Sequence, residues 1–234
     1  MNFWFKIYYN IFENLFTLTM SKVFYFFLTV FRIFKYLFSK KKRYSNLLIN
    51  ILINRPRSII EIGVYNGDRA LEMIQAAKIF NSKINYYGFD LFEDFQKKIL
   101  KDEHSKIPSN VSLIRKKLLD YGIVKLYKGY TERTLPKFFE KKIIVDFIFI
   151  DGGHAIKTIE NDWKYCSKMI DKDSLVIFDD YYLGNKNIIT KFGSNKTYEK
   201  INTNIYEKVL LPFVDKFDKR YYLQKIQMFK VKLK

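Results

Sequence analysis

From Tyr44 onward short apolar runs alternate with amphipathic segments, an order that few folds accommodate. The runs are Ser58–Val64 (SIIEIGV), Ile84–Asp90 (INYYGFD), Ile123–Tyr127, Ile143–Ile150 (IIVDFIFI) and Ser174–Phe178 (SLVIF). Runs this short and apolar read as strands buried on both faces, the signature of a parallel sheet covered by helices on both sides. The pattern predicts helices over Ser45–Asn54, stopped by Arg55-Pro56, and over Asp68–Phe80. Others are expected near Glu93–His104 and Val111–Tyr121, from about Glu132, and over Ala155–Ile170. Tyr182–Asn204 is polar and aperiodic; a helix near Ile205–Phe217 and one strand near Arg220–Val231 close the chain. We expect an α/β domain over residues 45–234 and a separate helical extension over residues 1–44.

Composition narrows the chemistry. One cysteine, Cys166, excludes an internal disulfide and any multi-thiolate zinc site, and with only His104 and His154 multi-histidine metal sites are excluded too. Catalysis must therefore rest mainly on carboxylates, hydroxyls and backbone groups. With 48% apolar and 28% charged residues the chain is not disordered. The net charge of +18 is uneven: residues 1–58 carry ten basic side chains against one acid, Glu13. Lysine-rich codon usage would spread charge evenly, so this concentration points to an anionic partner.

The first 39 residues are crowded with aromatic side chains and contain no glycine or proline. A narrow polar stripe (Asn2, Lys6, Asn10, Glu13, Thr17, Ser21) recurs in steps of three or four, and Lys40-Lys41-Lys42-Arg43 follows the apolar stretch. A cleaved signal peptide is disfavoured, since no alanine precedes Ala70. A membrane span competes weakly, because Val23–Phe31, the longest uncharged stretch in the apolar half, is about half the roughly 20 residues required. An interfacial helix on anionic lipid fits better. The alternative is a helix packed on its own domain or on a second copy in a homo-oligomer.

In open parallel sheets ligands bind at the carboxyl ends of the strands. After the first strand comes Glu61-Ile62-Gly63-Val64-Tyr65-Asn66-Gly67, an E-x-G-x-x-x-G turn leading into a helix; the dinucleotide pattern G-x-G-x-x-G is absent. Asp90 ends the second strand, where an acid suits the hydroxyls of a ribose or caps the next helix. Asp151-Gly152-Gly153-His154 follows the fourth strand and Asp179-Asp180 the fifth. Three converging carboxylates repel unless a cation or protons compensate, and hard oxygen donors favour magnesium, calcium or manganese. Each aspartate has a plainer use in closing a turn or capping a helix.

Read together, IIEIGVYNGDRA (59–70), YYGFDLFEDF (86–95), VKLYKGYTERTLPKF (124–138), VDFIFIDGGHAIKTIENDW (145–163) and SLVIFDDYY (174–182) resemble the class I S-adenosylmethionine-dependent methyltransferases. More narrowly they look like the branch of macrocin-type sugar O-methyltransferases. The resemblance implies a Rossmann-like methyltransferase sheet, with Glu61, Gly63, Tyr65, Asn66 and Gly67 in the cofactor loop and Asp90 on the ribose. Tyr130 stands on the adenine side, where the family more often has a small or acidic residue. Asp151, Asp179 and Asp180 would hold Mg2+ or another divalent cation, and Asp151 or His154 would be the base. The implied reaction is metal-assisted methylation of a sugar or glycan hydroxyl; the N-terminal segment, which lies outside the resemblance, adds the expectation of a lipid-linked acceptor and of a cytoplasmic enzyme peripheral at the inner face of a membrane. Two other classes compete: a non-catalytic scaffold that keeps the fold, against which the retained aspartates argue, and a nucleic-acid methyltransferase, which the charge permits but which lacks an N/D-P-P-Y segment.

Overall fold

A computed structural model describes residues 3–103, 106–184, 189–219 and 222–234; His104 lies outside them. Helix α1 (Phe3–Leu37) leads into α2 (Arg43–Asn54), which ends where Arg55 adopts φ +53 ahead of Pro56. Then follow β1 (Ser58–Ile62), α3 (Asp68–Ala77), β2 (Asn85–Asp90), a single turn at Phe92–Asp94, α4 (Ile99–Asp102), α5 (Val111–Leu118) and β3 (Ile123–Lys128). The chain continues through α6 (Thr131–Phe139), β4 (Phe147–Ile150), α7 (Ile156–Cys166), β5 (Leu175–Leu183), α8 (Asn195–Lys200), β6 (Tyr206–Leu210), β7 (Asp215–Lys219) and β8 (Tyr222–Leu233).

The strands form one sheet in the order β3-β2-β1-β4-β5-β8-β6, with β7 pairing beside β6 on β8. The first five strands are parallel, and β5 pairs antiparallel with β8. This is the expected Rossmann-like α/β fold. Two apolar layers flank the sheet. One packs Leu47, Leu48, Ile51, Met73, Ile74 and Phe147 under α2 and α3, and the other packs Phe89, Phe138, Ile148, Ile159 and Phe178 under α6 and α7. Alternate residues of each central strand enter opposite layers, which is why these strands read as uninterrupted apolar runs.

The structure corrects the sequence expectation in three places. Ile205–Phe217 is not a helix but β6 and the start of β7, separated by Pro212. In β6 Tyr206 and Lys208 are half-buried on one face: the Tyr206 ring meets Trp163, and Lys208 donates to the Tyr198 carbonyl at 2.5 Å. The segment therefore alternates with period two and completes the sheet edge. Between Phe92 and Glu103 only a turn and the four residues of α4 are helical. Finally, β5 extends past Phe178 to Leu183: pairing with β4 ends at Phe178, but pairing with β8 resumes at Tyr181 after a register shift and carries the strand on. Asp179 and Asp180 sit in that irregularity, just beyond the last parallel pair Ile150–Phe178.

Candidate active site

A cavity of about 320 Å3 opens at the carboxyl ends of the parallel strands. Its walls come from the β1–α3 turn, the end of β2, the β3–α6 and β4–α7 turns, Asp180 of β5, and Lys41, Arg43 and Tyr44 around the start of α2. Among the residues expected from sequence, Gly63, Tyr65, Asn66, Asp90, Tyr130, Asp151, His154 and Asp180 all face it. Glu61, Gly67 and Asp179 do not line it.

The cofactor-loop side is tightly specified. Gly63 has φ +91, and a β-carbon built there would stand 1.9 Å from the carbonyl oxygen of Asp151. Only glycine lets β1 and β4 leave the sheet this close together. Gly63 donates to Phe89 O at 2.9 Å, and Asp151 donates to Ile62 O at 2.8 Å. Tyr65 takes the left-handed conformation at φ +52, uncommon for a bulky side chain. Asp90 accepts from the backbone N–H groups of Tyr65 at 2.8 Å and Leu91 at 2.7 Å, so the acid holds the turn in place. Burial raises its pKa, and those same backbone donors pull it down. Glu61 lies fully buried behind the turn, accepting from Tyr86, with its other oxygen unpartnered. Desolvation pushes it up to about 8, so it carries its proton at neutral pH.

The opposite wall holds the acids of β4 and β5. Donor atoms of Asp151, His154 and Asp180 lie within 4.8 Å of one another. His154 is held at both ring nitrogens: Nε2 is 3.0 Å from Asp180 Oδ2, and Nδ1 is 3.1 Å from the Tyr182 hydroxyl. Burial pushes the Asp151 pKa well above the carboxylate range, reinforced by the charges of Asp179 and Asp180; burial also raises Asp180, against the pull of His154. Asp180 adopts φ +57, and the segment after β5 fastens it there: Ser194 N donates to Asp180 O at 3.0 Å and Gly193 N to His154 O at 2.8 Å. From the other side Glu103 accepts from Ala155 N at 3.0 Å and Thr158 Oγ1 at 2.7 Å, clamping the turn that carries His154.

Asp179 points elsewhere. It accepts from Arg43 Nε at 2.7 and 3.0 Å, and Arg43 also pairs with Asp215, whose other oxygen accepts from Arg43 N at 2.8 Å. The three groups are buried, and Arg43 keeps its charge because two carboxylates flank it. Where the sequence pattern groups Asp179 with Asp151 and Asp180 as cation ligands, the geometry brings together Asp151, His154 and Asp180. The motifs also leave out Asp162, a fully buried acid on the cavity wall that desolvation pushes up to about 7. A signal existed, since Ile159, Asp162 and Cys166 share the buried face of α7, where an acid is out of place. Arg43 carried no such signal, because its partners lie 136 and 172 residues away.

Comparison with known proteins gives these features a context. Residues 60–181, just over half of the chain, match a family described as a methyltransferase domain. An uncharacterised protein of Acanthamoeba polyphaga mimivirus is 31% identical over 138 residues, 57% of this chain. This chain spans 56% of that relative's length. Among solved structures, an O-methyltransferase of Bacillus cereus in complex with SAH aligns over 80% of this chain and 78% of its own, with TM-score 0.54 and 16% identity. The O-methyltransferase TomG of Streptomyces achromogenes, involved in tomaymycin synthesis and in complex with SAM, aligns over 80% and 77% with TM-score 0.51 and 10% identity. At such identities the likeness is one of fold.

Proposed function

Since the chain belongs to the methyltransferase-domain family, we propose that it transfers a methyl group from S-adenosylmethionine to a hydroxyl of a sugar or glycan, assisted by a divalent cation. The observation that carries this reading is convergence: Asp90, the Gly63 turn and the Asp151–His154–Asp180 group face one cavity at the carboxyl ends of the strands. The bound S-adenosyl compounds of the two solved O-methyltransferases support the choice of cofactor.

The residues fit both absent groups. Asp90 lies on the cavity wall with its carboxylate already oriented by two backbone donors, as ribose hydroxyls require. Gly63 allows the backbone to approach, Tyr65, Asn66 and Tyr130 line the same wall, Glu61 supports the turn from behind, and Gly67 at φ +74 starts α3. The carboxylates of Asp151 and Asp180, within 4.8 Å of each other and of His154, offer the hard oxygen donors that suit Mg2+ or Mn2+. When bound, the sulfonium supplies an electrophilic methyl group, and the cation lowers the proton affinity of a neighbouring hydroxyl.

The protein's own work is then chiefly alignment, which is worth roughly 7–11 kcal/mol in a displacement of this type. Asp180, His154 and Tyr182 form a linked row that fixes the imidazole. Asp151 or His154, which face the cavity side by side, takes the acceptor hydroxyl's proton, a contribution typically about 10²–10⁴-fold. Arg43 places a fixed positive charge behind both acids, so the wall tolerates developing negative charge on the acceptor oxygen.

The test is calorimetric titration of S-adenosylmethionine into the full chain, followed by assay of S-adenosylhomocysteine release with sugar acceptors, with magnesium or chelator. Micromolar binding lost in Asp90→Ala, and turnover lost with chelator, are the expected results. A folded protein that binds no S-adenosylmethionine refutes the enzyme reading; chelator-insensitive turnover removes the cation.

A further inference from the structure

The sequence leaves open which face of α1 meets the domain, and the structure answers in an unusual way. From Tyr25 to Tyr36 the helix presents its mixed polar face to α3. Lys78 Nζ stands 5.6 Å over the Tyr25 ring, Thr29 is fully buried, Arg32 lies 3.9 Å from Glu72, and the Tyr36 hydroxyl donates to Glu72 at 2.9 Å. These residues recur in steps of four, three and four. The opposite face carries Met20, Phe24, Phe27, Phe31, Phe34 and Phe38 in steps of four, three, four, three and four. That stripe is open to solvent: Phe27 and Phe31 are each 66% exposed, and Phe38 is 87% exposed. A soluble domain ordinarily buries such a stripe and exposes the polar face.

We propose that this stripe, together with Lys35 and the Lys40–Lys42 turn, docks the protein in the plane of an anionic lipid bilayer. Charge selects this occupant over a second copy. Between Glu13 and Glu61 the sequence contains no acid, while Lys35, Lys40, Lys41 and Lys42 stand exposed along or just past the stripe. Two copies joined face to face would set these cations together with no counter-charge from the segment; anionic headgroups supply it. The apolar stretch Phe16–Leu37, mean hydropathy 1.3, would be about 33 Å long, enough to cross a bilayer. Its polar face, however, is fastened to α3, which favours an in-plane helix with its rings at the headgroup boundary. Lys41 belongs both to the basic turn and to the cavity wall, so docking sets the cavity rim at headgroup level.

The experiment is flotation of the full chain with vesicles of phosphatidylcholine alone or mixed with phosphatidylglycerol, alongside sedimentation velocity without lipid. It reads no methyl transfer, so its failure and that of the enzymatic reading are separate. The wild type is expected to float with the mixed vesicles, about tenfold less with phosphatidylcholine alone, and to be released by salt. Phe24→Ser/Phe27→Ser/Phe31→Ser, with unchanged near-UV circular dichroism, should abolish flotation. Lys35→Glu/Lys40→Glu/Lys42→Glu should erase the preference for phosphatidylglycerol. A wild type that floats with neither vesicle, or a serine variant that floats undiminished, overturns the proposal. A lipid-free dimer broken by the serine variant, in a protein that does not float, gives the stripe to a second copy.

Discussion

At Gly63 the φ of +91 and the 1.9 Å that a β-carbon would leave to the Asp151 carbonyl allow no accommodation short of moving β1 from β4. Gly63→Ala is therefore expected to lower S-adenosylmethionine affinity at least about tenfold and to destabilise the fold by about 1–3 kcal/mol, read by calorimetry and by urea unfolding. An alanine variant with wild-type affinity would mean that this turn does not approach the cofactor. The two adjacent aspartates of β5 separate just as sharply. Asp180 meets His154, whereas Asp179 meets Arg43. Titration with Mn2+ should show binding in the wild type and in Asp179→Asn, and none in Asp151→Asn or Asp180→Asn. Equal loss in all three would instead support the sequence-based grouping. Nothing in the string Asp179-Asp180-Tyr181-Tyr182 distinguishes the two acids. The distinction arises from a strand irregularity and a left-handed φ, both imposed by tertiary pairing with β8.

Among the elements, α2 shows how a segment outside the recognisable motifs completes the site. Arg43, its first residue, pairs with Asp179 of β5 and Asp215 of β7 in one buried cluster, so the helix ties the N-terminal region to the sheet interior and to one of its edges beside the cavity. Arg43→Ala would leave two buried carboxylates facing each other without a cation. A loss of about 3–5 kcal/mol is expected, measured as a fall in the urea midpoint with unchanged m-value. A loss under 1 kcal/mol would mean that the pair is solvated and the cluster dispensable. The order of elements was legible because the central strands are buried on both faces and leave apolar runs of the right length, bounded by turn residues. The C-terminal strands were not. Tyr206–Leu210 is an edge strand whose charged residues Glu207 and Lys208 are adjacent and break the apolar alternation, and its strand character comes from β8, which follows it in the chain. The glycine turn after β1 and the acids at the ends of β2 and β4 could be found because strand ends mark the ligand side of such a sheet; Glu103, Asp162 and Arg43 reach the cavity from helices and loops that carry no such marker.

Across the whole molecule the buried acids act in one direction. Glu61, Asp162, Asp151, Asp180, Asp90 and Asp215 all have pKa values raised by burial, to about 8 for Glu61 and about 7 for Asp162. A carboxyl with a raised pKa binds more protons in the folded than in the unfolded state between its two pKa values. Folding stability is then fully present below the unfolded value and is lost as pH rises through the folded one. Ion-paired acids, with lowered pKa values, complete their gain by about pH 5 and add no slope above it, so the raised acids should make this chain melt at lower temperature at about pH 8 than at about pH 5. Glu61 isolates the effect, since it is fully buried, accepts from Tyr86 at one oxygen and has no partner at the other. Glu61→Gln removes the titration while keeping the shape. It should flatten the decline by up to about 1.4 kcal/mol per pH unit between the ordinary carboxylate range and pH 8. Thermal melts of both proteins at matched ionic strength measure this, and the matching matters because a net charge of +18 adds its own salt-dependent repulsion. Parallel curves would show that Glu61 ionises as freely in the folded chain as in the unfolded one. In that case the support beneath the Gly63 turn would be a charged acid open to water rather than the neutral, dry contact that the structure describes.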